Sequence, residues 1–401
     1  MNVDSYIKTK KNNRYFNTYL VLGCLLWYLA PVFFIQIALG ITLPIYFTSV
    51  FLFAFGVLLS GFFSSNFILS DKVKFSNSLI LPLGYIIVIA IFLLQSIPIS
   101  AILNGNIDFF YRNLIFEDTT TLFGSTVLYT LYNTILYPML IFGLCILPLI
   151  EKGRRFLFWL FISALFFDAV VRFGRFPIFY AVFFLLYYRQ NLNISARHMI
   201  LTAFLVVIAM QYILFLRQYE MQSIGFGIEF FTSTFMESVF QYNLIGPLLF
   251  EHFASQQLVT ISPLNFASLS ALMVPIELIL GRFGEVLWYP WKDQMVAISQ
   301  PVYIDILQRD ANAFGTNFLP IYLDLGFIGP FILGLFSGFI LSIRASGKLA
   351  SSIKSMVAFI TFFGVYQSYI VMPYALFVFI PLMFGLLRIR RRRIVDEFRY
   401  S

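Results

Sequence analysis

Residues 77–99 read NSLILPLGYIIVIAIFLLQSIPI, an apolar run without a single charged side chain. A helix needs about 20 such residues to cross the hydrocarbon of a bilayer. The same grammar recurs on either side. Apolar runs at 17–38, 41–63, 124–150, 156–171, 176–188, 199–216, 318–343, 351–371 and 373–387 complete a set of ten. The whole chain is 60% hydrophobic and 11% charged, with 51 Phe and 23 Tyr. That is too little polarity to cover a soluble surface. The expectation is an all-α integral membrane protein of about ten transmembrane helices, built as one polytopic domain over residues 1–401.

Charge sets the topology. The turns at Asp71–Lys74, Glu151–Arg155, Tyr188–His198 and Arg344–Lys348 are basic, and they alternate with acidic or mixed turns. Together with the tails, 1–16 and 388–401, this side collects 20 of the 27 Lys and Arg. Basic residues concentrate on the cytoplasmic side of spans, so both termini are read as cytoplasmic. The net charge of +8 sits mainly at the two ends, in Lys8, Lys10, Lys11 and Arg14 and in Arg388, Arg390 to Arg393 and Arg399. These tails read as anchors beside anionic lipid rather than as a nucleic-acid signal. The first apolar run follows a basic tail and lacks a small-residue cleavage site, so it reads as a retained anchor. Cys24 and Cys145 both lie inside apolar runs, which points to neither a disulfide nor a redox or metal pair.

One outward loop dominates, at about 217–315. It is no flexible linker, because it carries Phe230, Phe231, Phe240, Leu244, Leu248 and Phe250. Its apolar run Leu264–Leu280 would export the basic C-terminal tail if it crossed. It is therefore read as a helix lying in the outer interface, with Trp288, Tyr289 and Trp291 as interfacial aromatics.

Seven basic residues fall on the outward side: Arg112, Arg172, Arg175, Arg217, Arg282, Lys292 and Arg309. Six are Arg, whose planar fork matches phosphate oxygens. Arg172 and Arg175 stand at i and i+3, on one helical face. Pro177 behind them suits the first turn of a new helix, where free N–H groups and the dipole favour an anion. The pair reads either as a diphosphate clamp or as two headgroup anchors, and its outward placement favours the clamp.

Two further elements carry candidate chemistry. Glu251-His252 lies in the large loop, and His252 is the only outward histidine. A histidine or carboxylate beside a bound diphosphate can accept a proton from a sugar hydroxyl; a plain surface pair is the equal alternative. Adjacent helical residues do not share a face, so no metal site is read here. Downstream come Asp310, then Gly315-Thr-Asn317, then Tyr322-Leu-Asp324-Leu-Gly326-Phe-Ile-Gly329. An acid near the end of a span needs a partner or a cavity, and Asp324 is expected to have one, such as an arginine. Gly334 and Gly338 have the spacing of close helix packing.

The many spans, the single late loop, the Arg172-Phe-Gly-Arg175 corner and the Gly315–Gly329 stretch resemble the Wzy family of O-antigen and oligosaccharide repeat-unit polymerases. The resemblance covers most of the chain. One family pattern is absent: Gly225 and Gly227 follow Arg217 at offsets of eight and ten, not eleven. The resemblance implies a GT-C-like glycosyltransferase in the bacterial inner membrane, with the large loop periplasmic. It implies undecaprenyl-diphosphate-linked glycans as donor and acceptor, a chain-length regulator as partner beside the lipid bilayer, and no cofactor. Arg172, Arg175, Arg217, Arg282 and Arg309 would bind diphosphate, His252 or Glu251 would serve as base, and Asp310 and Asp324 would support them. An O-antigen ligase, a lipid-linked glycan flippase or exporter, and a peptidoglycan polymerase are the competing classes. A flippase calls for basic residues along several spans, and the acidic loop signature of the last class is missing.

Overall fold

The structure, a computed structural model, describes residues 21–37, 40–64, 66–72, 77–103, 123–150, 153–171, 176–189, 192, 194–195, 197–202, 204–205, 208, 244–255, 261–265, 267–269, 302–304, 309–311, 316–365 and 375–391. In chain order the main elements are α1 (Val21–Ile37), α2 (Pro44–Ser64), β1 (Phe67–Asp71), α3 (Asn77–Leu103), α4 (Thr126–Leu131), α5 (Tyr137–Ile146), α6 (Arg154–Val171), α7 (Phe176–Tyr188) and α8 (244–255). They continue with β2 (Val302–Ile304), β3 (Arg309–Ala311), α9 (Phe318–Leu325), α10 (Ile328–Ser342), β4 (Arg344–Ser346), α11 (Lys348–Phe363), α12 (Leu376–Met383) and β5 (Leu387–Arg391). The described residues are mostly helical, and each predicted apolar run carries helix where it is described. Among the described residues two stretches, α2 and Ile80–Ser100 within α3, are long and apolar enough to cross a membrane.

The chain forms two compact units, residues 1–73 with 237–401 and residues 74–236. In the first, α2 packs along α10 with almost no side chain between them. A Cβ on Gly334 would run into the backbone of Phe53, and one on Gly338 into Val57 and Ser60. Gly56 returns the contact, since a Cβ there would lie 2.8 Å from the backbone nitrogen of Leu335. The two glycines read as close-packing positions in the sequence do that work here. Beside this seam, Phe318 stands amid aromatic rings. Its ring centroid lies 5.2 Å from Tyr28, 5.4 Å from Phe53, 5.9 Å from Tyr46 and 6.2 Å from Phe250. Tilted aromatic contacts of this kind add to the burial of their area.

The predicted run 318–343 is not one helix. It breaks between α9 and α10 at Gly326, whose φ of +59 is reached cheaply only without a Cβ. The Gly326 N–H bonds the Tyr322 carbonyl at 2.7 Å. At Gly329 a Cβ would strike the Ile321 carbonyl, so the second glycine permits the turn to close.

A small sheet of order β4-β1-β5 accompanies the helices, with β1 parallel to β4 and antiparallel to β5. It joins three segments that charge alone assigns to one side, around residues 71, 344 and 388. The sheet did not figure in the sequence reading, because none of its strands is longer than five residues. β2 and β3 make a separate two-stranded ribbon.

In the second unit α3, α6 and α7 pack together. Gly84 faces Leu157, and Gly143 faces the ring of Phe161. Between α4 and α5 the chain takes one π-helical segment, Tyr132–Leu136. The two cysteines are buried and are not joined in a disulfide.

Candidate functional site

Helix starts leave backbone N–H groups without partners. In this chain carboxylates from far along the sequence supply them. Pro44 opens α2, a position where its missing N–H costs nothing. The next two N–H groups, of Ile45 and Tyr46, donate to the Glu251 carboxylate at 3.2 and 2.7 Å. Asp71 does the same for α11, accepting from Leu349 at 3.0 Å and Ala350 at 2.9 Å. Asp324 accepts from the N–H groups of Ala267 and Ser268, each at 2.8 Å, and from the Ser268 hydroxyl. The described partner of Asp324 is thus the backbone of the large loop, not the arginine that sequence reasoning proposed.

Further contacts tie this part of the loop to α9. Asn265 and Ser262 donate to the Leu323 carbonyl, both at 2.9 Å. Residues 263–265 and 267–269 are short 3₁₀ turns, not the start of the interfacial helix expected from Leu264 onward. Residues 270–300, with the rest of that run and Trp288, Tyr289 and Trp291, lie outside the described residues. α8 is anchored by Leu249, Phe250 and Phe253, all buried in the core of the first unit.

Glu251 and His252 therefore sit on a fixed helix. A cleft of about 200 Å³ opens along the α1–α2 connection, lined among others by Gln36, Ile41, Thr42, Leu43 and Pro44. Pro44 is the residue immediately before the two whose N–H groups hold Glu251. Inside the same helix start, the Tyr46 hydroxyl is buried without a hydrogen-bond partner among the described residues. Burial pushes the Glu251 carboxyl above its ordinary value of 4.5, and the N–H groups of Tyr46 and Ile45 pull it partway back. The His252 ring stands edge-on to Phe253 at 5.5 Å. A larger, open depression of about 560 Å³ covers Gly153, Arg154, Arg155, Phe156 and Trp159 in the second unit. It belongs to a turn that charge assigns to the inner side.

Between 4.5 and its raised value in the fold, Glu251 binds more protons folded than unfolded. Its contribution to stability is fully present below 4.5 and declines as pH rises through that window, then levels off. Thermal melting from pH 4 to 8 is expected to show a steeper fall for the natural chain than for Glu251→Gln. Parallel curves would show that the carboxyl is not perturbed.

The other proposed site residues are placed in part or not at all. Arg309 and Asp310 lie on β3, with Arg309 opposite Ile304 and Asp310 opposite Tyr303, and the structure describes their backbone only. Arg172, Arg175, Arg217 and Arg282 lie outside the described residues.

One polar constellation escaped the sequence reading. Asp168, on α6, is fully buried and accepts a 2.6 Å bond from the Tyr132 hydroxyl. Gln95 on α3, also fully buried, donates to Tyr132 at 2.8 Å and to the Ala164 carbonyl at 3.0 Å. Tyr132 opens the π-helical segment, a distortion frequent at functional positions. A signal was present: Asp168 is the acid within the run 156–171, and an ionisable residue inside such a run marks a functional position by default. In the sequence Arg172 follows it by four positions.

No protein-family model matches the chain, and neither the curated proteins nor the solved structures contain a match to it.

Proposed function

We propose that the chain is a membrane glycosyltransferase that joins undecaprenyl-diphosphate-linked oligosaccharide repeats into a surface polysaccharide, at the outward face of the bacterial inner membrane. The observation that carries this reading is the sorting of polar contacts to two ends. Glu251 meets the start of α2, and Asp324 and Leu323 meet residues 262–268. Charge bias assigns all of these segments to the outward side. β1, β4, β5 and the Asp71–α11 contact join segments assigned to the inward side. α2 runs from the first group to the second. Along it Phe47, Phe51, Phe55, Leu58 and Phe62 are exposed, and Leu83, Ile86, Ile89, Leu93 and Ile97 are exposed along α3. Continuous apolar faces of that length suit lipid, not water.

The chemistry fits a site on the outward side. No nucleotide-sugar is expected there, so the donor's own glycosyl diphosphate supplies the driving force. An acceptor hydroxyl oxygen forms a bond to the donor anomeric carbon, and the bond from that carbon to diphosphate breaks. Undecaprenyl diphosphate leaves with the electron pair. Arg172 and Arg175, with Arg217, Arg282 and Arg309, are assigned to the charge that develops on the leaving group. The hydroxyl proton passes to His252 or to Glu251, whose carboxyl burial makes more basic than an exposed one. A ligase would use the same donor. Against a flippase stands the distribution of cations: among the described residues Lys354 is the buried one, and it donates to the Ile343 carbonyl at 3.1 Å behind α10.

Sidedness is tested by accessibility. A cysteine placed at Ser255 is expected to react with a membrane-impermeant thiol reagent in cells with a permeabilised outer membrane, and one at Ser346 to stay unlabelled. Labelling at Ser346 alone, or at both sites, contradicts the topology.

A further inference from the structure

We propose that the β4-β1-β5 sheet is a binding site for the headgroup of an anionic phospholipid, held between Arg344 of one edge strand and Arg388 and Arg390 of the other. Ile68 on the central strand is paired with Arg344 on one side and Arg390 on the other. Two positions along, Ser70 is paired with Ser346 and Arg388. Residues directly opposite one another share a face of a sheet, as do residues two apart on a strand. All three arginines therefore stand on one face, together with two serines, and all three are exposed. Arg344 and Arg390 flank Ile68 and stand roughly 10 Å apart, two strand spacings, while Arg388 and Arg390 are separated by about 7 Å along β5. The opposite face carries the buried Leu69 and Leu387, and beyond them on β5 the exposed Ile389 and Arg391.

Among the described residues the three charges are uncompensated. Asp71 is the acid of the sheet; it pairs with Leu387, on the other face, and both its oxygens are taken by the start of α11. Among the described residues no carboxylate pairs with Arg344, Arg388 or Arg390. Like charges set side by side on a sheet repel, and a bound anion relieves them.

The position of the sheet identifies the anion. Each strand follows an apolar helix within a few residues: β1 after α2, β4 after α10 and β5 after α12. The last turns of α2 and α12 end in exposed Phe62, Phe63, Met383 and Phe384. Cationic side chains immediately beyond exposed apolar ones match a lipid, with phosphate on the sheet and acyl chains along the helix ends. The inference rests on the bilayer-crossing reading of these helices and is independent of the polymerase reading.

The full-length protein, purified in a zwitterionic detergent and stripped of lipid, is melted while phosphatidylglycerol, phosphatidylcholine or inorganic phosphate is titrated in. Phosphatidylglycerol is expected to raise the melting temperature, with the other two inert. In Arg344→Gln/Arg388→Gln/Arg390→Gln the phosphatidylglycerol midpoint is expected to move up by about a hundredfold, roughly fivefold for each arginine. Arg154→Gln/Arg155→Gln is expected to leave it unchanged. An equal response of the triple variant overturns the site, and an equal response to inorganic phosphate overturns the lipid as occupant. Should the triple variant not fold, a photoreactive phosphatidylglycerol on the natural chain decides: crosslinks at 344–346 or 387–391 support the site, and crosslinks confined elsewhere overturn it.

Discussion

Gly334→Leu is expected to prevent the first unit from folding. The position has no room for even one extra carbon, since a Cβ there meets the carbonyl oxygen, carbonyl carbon and Cα of Phe53. These are backbone atoms of α2, and they cannot swing aside as a long side chain does. Adding methylenes to a well-packed core costs about 1–3 kcal/mol when side chains can give way. Here the two helices must separate, which also exposes the buried faces of Phe53 and Val57. The cost is expected to exceed about 3 kcal/mol, a large share of the 5–15 kcal/mol that holds a typical domain. Size-exclusion of a fluorescent fusion should show aggregate in place of a single peak. Gly23→Leu is the matched control, because nothing lies within 4 Å of a Cβ at that exposed site on α1. A Gly334→Leu protein that elutes and melts like the control would show that α2 and α10 do not pack as described.

Arg175→Ala is expected to abolish polymer while leaving protein abundance unchanged. The basis is the i, i+3 spacing of Arg172 and Arg175 in the sequence, just before Pro177, which in the proposed outward setting would offer two guanidinium forks to one diphosphate. Loss of charge at a leaving group is among the largest single effects in catalysis, about 100- to 1,000-fold per donor in oxyanion sites. Arg175→Lys is expected to recover little, because an ammonium is a point charge without the fork. On a glycan gel the Arg175→Ala strain should show single-repeat product only. An unchanged ladder removes this pair from the mechanism.

The helices were legible in the sequence because apolar runs are long and are punctuated by charge. Residues 176–188 coincide with α7, and 156–171 with nearly all of α6. The break at Gly326 was less so, since glycine is common in apolar helices and only the closed turn reveals which one carries a positive φ. Contacts between distant residues were not legible at all. Asp324 was singled out as an acid that needs a partner, but its partners are backbone N–H groups, which have no signature in a sequence. The same holds for Asn317, marked only as part of a motif. Its side chain donates to the Ile360 carbonyl at 2.9 Å and its N–H to the Gly364 carbonyl at 2.7 Å, closing the end of α11. Tyr28 completes that cap by donating to the Thr361 carbonyl at 2.8 Å. Gln95, Tyr132 and Asp168 are 36 or more residues apart along the chain and converge only once α3 and α6 have packed. The basic sheet is a similar case: the charges that fixed its side were visible, while the register that gathers three of them on one face was not.

In the proposed function this chain itself forms glycosidic bonds from a lipid-linked donor. Purified protein reconstituted in liposomes, given only undecaprenyl-diphosphate-linked repeat units, tests it directly. The expected result is a ladder of products at multiples of the repeat, one undecaprenyl diphosphate released per bond, and no ladder from Arg175→Ala protein in the same vesicles. Repeat units that stay single with folded natural protein, or that only move between leaflets, would contradict it.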